Sequence, residues 1–152
     1  MLIRWLLAAL HLLALGLGLG AVWARGRALR GTLDAAGLAR VFYADNFWGM
    51  AAVLWLVTGP IRAFAGLEKG TTYYLHNDFF LTKMALLVVL LALEAWPMTV
   101  LIRWRVAQGK GRAVDTAPAR TMARISMIEA AVVVAMVLAA TAMARGLGYR
   151  TA

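Results

Sequence analysis

The sequence predicts an all-α integral membrane protein, a four-helix bundle formed as one domain over residues 1–152. Hydrophobic residues make up 63% of the chain and the mean hydropathy is +0.76, whereas soluble domains are about 45–50% apolar. Charged residues make up 15%, and most of them lie between four apolar runs. Each run is close to the ~20 residues that cross a bilayer. Because backbone groups in lipid must bond within their own segment, all four runs are expected to be helices.

The first predicted span is 5–24, a run interrupted only by His11. Arg4 ahead of the run and Val22-Trp23-Ala24 at its end resemble a signal peptide with a cleavage site. The apolar core is too long for a signal peptide, however, and the arginines directly after it oppose translocation of the following segment. The run therefore indicates an uncleaved membrane span.

The connection to the second span predicts a short interfacial helix over residues 32–43, in the first cytoplasmic loop, with Thr32 as its N-cap. Its apolar residues follow a helical pattern: Leu33, Ala36, Leu38 and Val41. The second span is 47–65, which contains Gly59-Pro60. The third span is 79–102 and the fourth is 125–144. Between them, the glycines, proline and charges of residues 105–120 predict a mobile loop.

Basic residues determine the predicted orientation, because loops rich in Arg and Lys stay on the cytoplasmic side. The loops after the first and third spans carry ten of them: Arg25, Arg27, Arg30, Arg40, Arg103, Arg105, Lys110, Arg112, Arg120 and Arg124. The opposite side carries five: Arg4, Arg62, Lys69, Arg145 and Arg150. We therefore expect a multi-pass protein of the bacterial inner membrane, with both basic loops in the cytoplasm and both termini in the periplasm.

Four ionisable residues fall inside the predicted spans, at two depths. Lys83 and Glu94 are eleven residues apart, close to three helical turns, and so share one face of the third span. The orientation places His11 and Lys83 in the outer half of the membrane, and Glu94 and Glu129 in the inner half. A charged residue at the centre of a span costs roughly 2.5–3.5 kcal/mol on insertion scales, so these residues indicate function or internal pairing.

His11 and Lys83, at the outer level, each have a functional and a structural interpretation. Small residues flank His11 and allow close approach of a helix or a flat ligand: Ala8, Ala14 and Gly18. His11 would be a haem or metal ligand or a proton carrier, or else a neutral imidazole bonded to a neighbouring helix. Lys83 would face a carboxylate of a ligand or of the protein, or else extend its ammonium group to the outer interface.

Glu94 and Glu129, at the inner level, also leave two interpretations open. Glu94 would pair with Arg25, Arg103 or another inner-face arginine as a structural link. Alternatively, Glu94 and Glu129 would share a proton if they face each other, because two like charges in a low dielectric favour its retention. Ser126 lies one turn before Glu129 and is expected to bond it.

Two further patterns suggest ligand sites. A stripe at helical spacing follows the second span: Asp45, Trp48, Ala52, Trp55, Gly59 and Arg62. It favours aromatic packing anchored at both ends by polar residues, and the alternative is a quinone or porphyrin resting against Trp48 and Trp55. In the outer loop, His76 and Asp78 would bind periplasmic copper, or else belong to a hydrated loop with an aromatic belt.

Composition excludes several other classes of site. The chain has no cysteine, which excludes disulfides and thiolate metal sites, and its two histidines exclude a site with several His ligands within one chain. The net charge of +9 is typical of loops that meet anionic lipid. We expect no nucleic-acid partner, because no basic stretch is interleaved with aromatic residues.

Five segments carry a resemblance that covers about residues 1–146. They are Trp5-Leu6-Leu7-Ala8-Ala9-Leu10-His11, Phe42-Tyr43-Ala44-Asp45-Asn46-Phe47-Trp48-Gly49, Gly66-Leu67-Glu68-Lys69-Gly70, Tyr74-Leu75-His76-Asn77 and Glu94-Ala95-Trp96-Pro97-Met98. With these segments the chain resembles a bacterial family known as domain of unknown function 2214. The resemblance implies a small four-helix inner-membrane protein and implies no activity.

A second, remote resemblance rests on the segments Ala9-Leu10-His11 and Lys83-Met84-Ala85-Leu86-Leu87-Val88. These are similar to the first and third helices of four-helix, haem-containing protoporphyrinogen oxidases and of the copper-resistance protein D group. The resemblance implies a haem ligand at His11 and a functional lysine at Lys83. Those oxidases carry a histidine eleven residues after that lysine, where this chain has Glu94.

Three functional hypotheses follow. The leading one is a small membrane protein that binds haem b or a similar redox cofactor near His11, with Lys83 supporting an acidic group of the ligand. The runner-up is a non-catalytic subunit, a homo-oligomer or a partner of another membrane protein, whose buried charges stabilise assembly. The third is periplasmic copper handling through His76 and Asp78. Neither the residues nor the resemblances decide whether the protein is an enzyme.

Overall fold

The computed structural model describes residues 1–65 and 69–150. Within these ranges the chain forms five helices: α1 (Leu2–Ala28), α2 (Ala35–Phe64), α3 (Thr71–Leu75), α4 (Asp78–Gly109) and α5 (Ala119–Ala144). Part of one family segment, Gly66-Leu67-Glu68, lies outside the described residues. The described backbone contains no strand beyond an isolated bridge between Asn77 and Tyr149. The predicted all-α class is confirmed.

Helices α1, α2, α4 and α5 are long and apolar enough to cross a membrane, with mean hydropathies of 2.0, 1.3, 2.2 and 2.2 in their most apolar windows. Their lengths of 27, 30, 32 and 26 residues exceed the ~20 residues that a bilayer core requires. The helices therefore tilt or extend past the hydrocarbon. Helix α4 continues two turns beyond the predicted end of its span at Ile102.

The start of α2 corrects one prediction. Residues 35–43 are the first turns of α2 and do not form a separate interfacial helix. The cap is Asp34, whose carboxylate accepts from the Gly37 amide at 2.7 Å, and not Thr32. A Cβ atom on Gly37 would lie 1.9 Å from the Thr32 carbonyl oxygen, so this tight turn requires glycine. The helix continues unbroken because Val41 and Phe42 are buried in a core with residues of α4 and α5.

Close backbone packing joins α1 to α2, α1 to α5, and α5 to α4. Glycines allow these approaches. A Cβ on Gly18 would lie 3.1 Å from the Ala51 Cβ of α2, and a Cβ on Gly26 would lie 3.2 Å from the Ser126 Cβ of α5. Helices α2 and α4 lack such packing and meet through side chains. We term this junction the α2–α4 seam; it extends from Phe64 and Phe80 at one end to Asp45 and Arg105 at the other.

The bundle has two different ends. The basic end contains the loops between α1 and α2 and between α4 and α5, and the terminal end contains Met1, α3 and the C-terminal segment 145–150. At the terminal end the C-terminal segment folds against the start of α4: the Asn77 side chain donates to the Leu147 carbonyl at 2.8 Å, and the Tyr149 ring stacks on Tyr73 at 5.1 Å. The C-terminus thus closes that end of the bundle.

Candidate functional site

Arg25 is the centre of a buried charge cluster in the half of the bundle nearer the basic end. It lies in the last turn of α1 and its side chain is fully buried. A guanidinium has five N–H donors, and each has an acceptor. Nε donates to Ser126 Oγ at 3.0 Å, Nη1 donates to Asp45 at 2.8 Å and to Glu94 at 2.9 Å, and Nη2 donates to Glu94 at 2.6 Å and to Glu129 at 2.7 Å.

These contacts bring every long helix to one point: α1 supplies Arg25, α2 Asp45, α4 Glu94, and α5 Ser126 and Glu129. Arg25 is one of the partners that the sequence left open for Glu94. Glu94 and Glu129 accept from the same nitrogen, so they face each other at the common depth that the sequence predicted. The expected Ser126 bond to Glu129 does not form among the described residues: the Ser126 hydroxyl accepts from Arg25, and Glu129 Oε1 has no partner there.

Arg105 extends the cluster to the α2–α4 seam. Its Nη2 atom donates to Asp45 Oδ2 at 3.0 Å, to Asn46 Oδ1 at 3.0 Å and to the Phe42 carbonyl at 3.2 Å. Its guanidinium lies over the Phe42 ring, 4.5 Å from the centroid. The side chain is 34% exposed, so this contact is at the edge of the bundle. Arg105 therefore ties α4 to the start of α2 where their backbones do not pack closely.

The charges of this cluster do not balance when all its acids are ionised. Asp45, Glu94 and Glu129 supply three negative charges, against two positive charges from Arg25 and Arg105. Glu129 is fully buried, and its Oε1 atom has no hydrogen-bond partner in the described part of the chain. With all three acids ionised, the cluster would carry one excess negative charge, placed beside one unpaired buried oxygen.

His11 forms the second polar centre, nearer the terminal end. Its Nδ1 lies 2.8 Å from Thr58 Oγ1, and the Thr58 hydroxyl donates to the Leu54 carbonyl at 2.6 Å. Because that donation occupies the Thr58 proton, we assign the imidazole proton to Nδ1, which donates to Thr58. The Nε2 lone pair is then left for another partner. The carbonyl of His11 accepts from Trp55 Nε1 at 3.3 Å, which fixes this turn of α1 against α2.

Lys83 of α4 lies near His11 and is half-buried. It acts electrostatically on the imidazole, as does Arg62 at the end of α2. No hydrogen bond or ion pair of the Lys83 ammonium group occurs within residues 1–65 and 69–150. His11 and Lys83 thus lie within electrostatic range of each other, at the common level that the sequence predicted. This level is basic, whereas the Arg25 cluster is acidic overall.

Trp48 and Trp55 lie between the two levels. Their rings meet edge to face at 6.2 Å, and both contact α1 at the position of Gly18. Trp48 is buried, and the Arg25 guanidinium lies 5.9 Å from its ring centroid. The pair separates the acidic centre from the basic one with a layer of aromatic packing.

His76 and Asp78 lie at the terminal end, each with its own partner. His76 Nδ1 lies 2.9 Å from the Thr72 carbonyl of α3, and Asp78 accepts from Arg150 Nε at 2.7 Å and also from Arg150 Nη2. The hydrogen bonds that Arg150 donates to the Asp78 carboxylate raise the pKa of Arg150 above its ordinary value. In the described ranges no group of three or more His, Cys, Asp and Glu side chains could hold a metal ion. The copper hypothesis stays a prediction.

Sequence reasoning missed Arg105 and Thr58 as members of these centres. Arg105 lies past the predicted end of the third span, and nothing in the sequence marks Asp45 as its partner. Thr58 is a common small residue in an apolar run. Its one signal is the helical spacing from Trp55, which places the two side chains on adjoining parts of the α2 face that meets α1.

Long apolar helices around a buried charge cluster define a multi-pass membrane protein. The chain belongs to the family described as Predicted membrane protein (DUF2214), which it matches over residues 3–148. This confirms the family resemblance drawn from the sequence. No curated protein and no solved structure matches the chain. The remote similarity to haem-containing oxidases stays a prediction.

Proposed function

We propose that the protein binds a small amphipathic ligand with an acidic group, such as haem b or a similar redox cofactor, beside His11 and Lys83 at the α2–α4 seam. One observation carries the proposal: the half-buried Lys83 ammonium group has no partner in the described chain, next to a histidine whose Nε2 lone pair is free. The ligand would supply the missing negative charge and a partner for the imidazole.

The contrast with the Arg25 cluster supports this assignment. Arg25 is deeper in the bundle, yet its five donors are satisfied by the chain itself. An intramembrane charge without a partner is costly and marks sites for substrates, ions or cofactors. Among the described residues Lys83 is such a charge, so we expect a bound ligand to compensate it.

The hydrogen bonding of His11 fits a histidine that would hold a haem iron. A histidine that ligates iron through Nε2 commonly donates its other N–H to a neighbouring oxygen, as His11 does to Thr58. The His11 ring lies against α2, where its Cε1 atom is 3.8 Å from the position of a Cβ on Gly59. Haem would supply electron transfer when bound. His11 would hold and orient it, and Lys83 would pair with an acidic substituent.

Visible spectroscopy tests the proposal directly. The full-length protein is purified in mild detergent with haem supplied, and its spectrum is recorded oxidised and reduced. We expect a Soret band that His11→Ala abolishes and that Lys83→Met weakens. His76→Ala is the matched control, because His76 bonds within α3 and should leave the band unchanged. A featureless spectrum from folded wild-type protein would eliminate haem as the ligand.

A second candidate function has support from the Arg25 cluster. Buried charges that link α1, α2, α4 and α5 are what a non-catalytic subunit of a membrane complex or homo-oligomer would need to hold its shape. Such a protein would be colourless and would co-purify with its partner. Glu94→Gln would reduce that co-purification, whereas His11→Ala would not.

We also propose that the basic end faces the cytoplasm of a bacterial inner membrane and that both termini face the periplasm. The chain has no cysteine, so single-cysteine variants report orientation cleanly. We expect a membrane-impermeant maleimide added outside intact spheroplasts to label Thr71→Cys and to leave Gln108→Cys unlabelled. Both positions are exposed. The reverse labelling pattern would show that the orientation is inverted.

A further inference from the structure

We infer that Glu94 and Glu129 together bind one exchangeable proton beneath Arg25, and that this proton reaches solvent through Glu94 at the α2–α4 seam. This inference concerns the acidic cluster and does not depend on a ligand at His11 and Lys83.

The first argument is the complete use of Arg25 as a donor. Each of its five N–H groups already has an acceptor, and Glu129 receives one of them, through Oε2. Nothing is left for Glu129 Oε1, which is buried and has no partner among the described residues. An ionised carboxylate would therefore place an oxygen with negative charge in a dry interior without a hydrogen bond. Such a state is strongly unfavourable.

The second argument is the charge of the whole cluster. The groups around the pair are Arg25 from α1, Asp45 from α2 and Ser126 from α5, and Arg105 from α4 completes the cluster through its bond to Asp45. Arginine stays charged in proteins, so the two guanidinium groups contribute two positive charges under all ordinary conditions. Three ionised acids would leave an excess negative charge, and one bound proton removes it. Like charges at close range in a low dielectric give the same preference for one protonated carboxyl.

The third argument is where the proton would lie. Glu94 and Glu129 accept from the same Arg25 nitrogen, each through its Oε2 atom, at 2.6 Å and 2.7 Å, so the two carboxyls lie side by side. A protonated Glu129 would donate to the Glu94 carboxylate, which removes the negative charge from the orphaned oxygen and keeps the remaining negative charge against Arg25. The two acids then titrate as one unit.

The side-chain exposure of the acids indicates the path by which the proton exchanges. The Glu129 side chain is 0% exposed, whereas those of Glu94 and Asp45 are 18% and 19% exposed. Both partly exposed acids lie at the α2–α4 seam, beside the half-exposed Arg105. Proton exchange with water therefore passes through Glu94, the partner that is accessible, and Glu129 retains the proton inside.

Infrared spectroscopy of the full-length protein in detergent tests the inference. The carbonyl stretch of a protonated carboxyl is separate from that of a carboxylate, and it shifts in heavy water when the proton exchanges. We expect a band equivalent to one protonated carboxyl per chain at neutral pH, with the exchange shift. Glu129→Gln and Glu94→Gln should each remove it. Asp115→Asn, in the exposed loop before α5, is the control that should leave it intact.

Two charge variants keep the test decisive even if the glutamine variants misfold. Asp45→Asn removes the excess negative charge and should release the proton, so the band should disappear at neutral pH and return only in acid. Arg105→Gln increases the excess negative charge, so the band should persist to a higher pH than in the wild type. The inference is wrong if folded wild-type protein shows only carboxylate bands, or if the band is unchanged in folded Asp45→Asn protein.

Discussion

The two polar centres of the bundle differ in how their charges are compensated. Around Arg25 of α1, each of the other three long helices contributes an acceptor, and the cation is satisfied inside the chain. Around His11, the imidazole has Thr58, but the Lys83 ammonium group has no partner in the part of the chain that the structure describes. The comparison separates two uses of an intramembrane charge: one holds helices together, and the other is available to a ligand.

The largest expected effect is the loss of Arg25. Arg25→Met leaves Glu94 and Glu129 without their cation, whereas Asp45 keeps Arg105. Breaking a buried ion pair from one side costs about 3–5 kcal/mol, and here two acids lose their partner. We expect denaturant unfolding in detergent to show that the free energy of unfolding falls by at least this amount at neutral pH. The difference from wild type should shrink in acid as the carboxylates become protonated.

Arg27→Met is the matched control for Arg25→Met. Arg27 lies two residues further along the same helix, is exposed, and contacts the Trp23 ring at 5.8 Å. The free energy of unfolding of Arg27→Met should stay within about 0.5 kcal/mol of wild type, as for most exposed sites. If both variants were equally stable, the Arg25 cluster would not be what holds the helices.

The next largest effect should come from Gly18, which lies between the two centres. A Cβ there would lie 3.1 Å from Ala51 and 3.3 Å from Trp55, so Gly18→Leu should force α1 away from α2. Overpacking of this kind costs about 1–3 kcal/mol. Gly16→Leu is the matched control, since a Cβ on Gly16 meets nothing within 4 Å. Thermal unfolding of the pair measures the difference, and equal melting temperatures would contradict the close approach.

Replacing Lys83 should change stability in the opposite direction to replacing Arg25. Lys83→Met removes a half-buried charge that has no partner among the described residues, so we expect the free energy of unfolding of the ligand-free protein to rise by about 1 kcal/mol. This gain is smaller than the ~2.5–3.5 kcal/mol cost at the centre of a span, because Lys83 lies in the second turn of α4. Lys110→Met, in the exposed C-cap of α4, should change little. A clear loss of stability in Lys83→Met would show that the two centres are compensated alike.

The sequence predicted the helices better than it predicted their contacts. Hydropathy located all the long helices, because a helix in lipid needs an apolar run whichever of its faces packs against the other helices. The antiparallel order of the spans also placed Glu94 and Glu129 at one depth. The start of α2 was predicted incorrectly, because a weak amphipathic pattern does not show that Val41 and Phe42 pack against α4 and α5. By residue type Thr32 is also an acceptable N-cap. In the structure the turn at Gly37 places its amide on the Asp34 carboxylate instead.

The partners within the charge cluster depended on helix rotation, which the sequence does not contain. Arg25 was one of several arginines at the right depth for Glu94. Only the approach of α1 to α5 at Gly26 turns its side chain inward, where all five donors find acceptors. The link between Asp45 and Arg105 depends in addition on the extra turns of α4 past Ile102. Local patterns thus predict depth, and tertiary packing decides pairing.

The smallest expected effect tests the edge of the cluster. Arg105→Gln removes a cation that is 34% exposed and bonded to Asp45 at 3.0 Å. Since partly exposed ion pairs contribute about 0–1 kcal/mol, stability should fall by no more than that amount. Arg103→Gln, which is exposed on the same helix, is the control and should have no effect. A loss for Arg105→Gln as large as for Arg25→Met would mean that the α2–α4 seam, and not the buried guanidinium, holds α2 against α4.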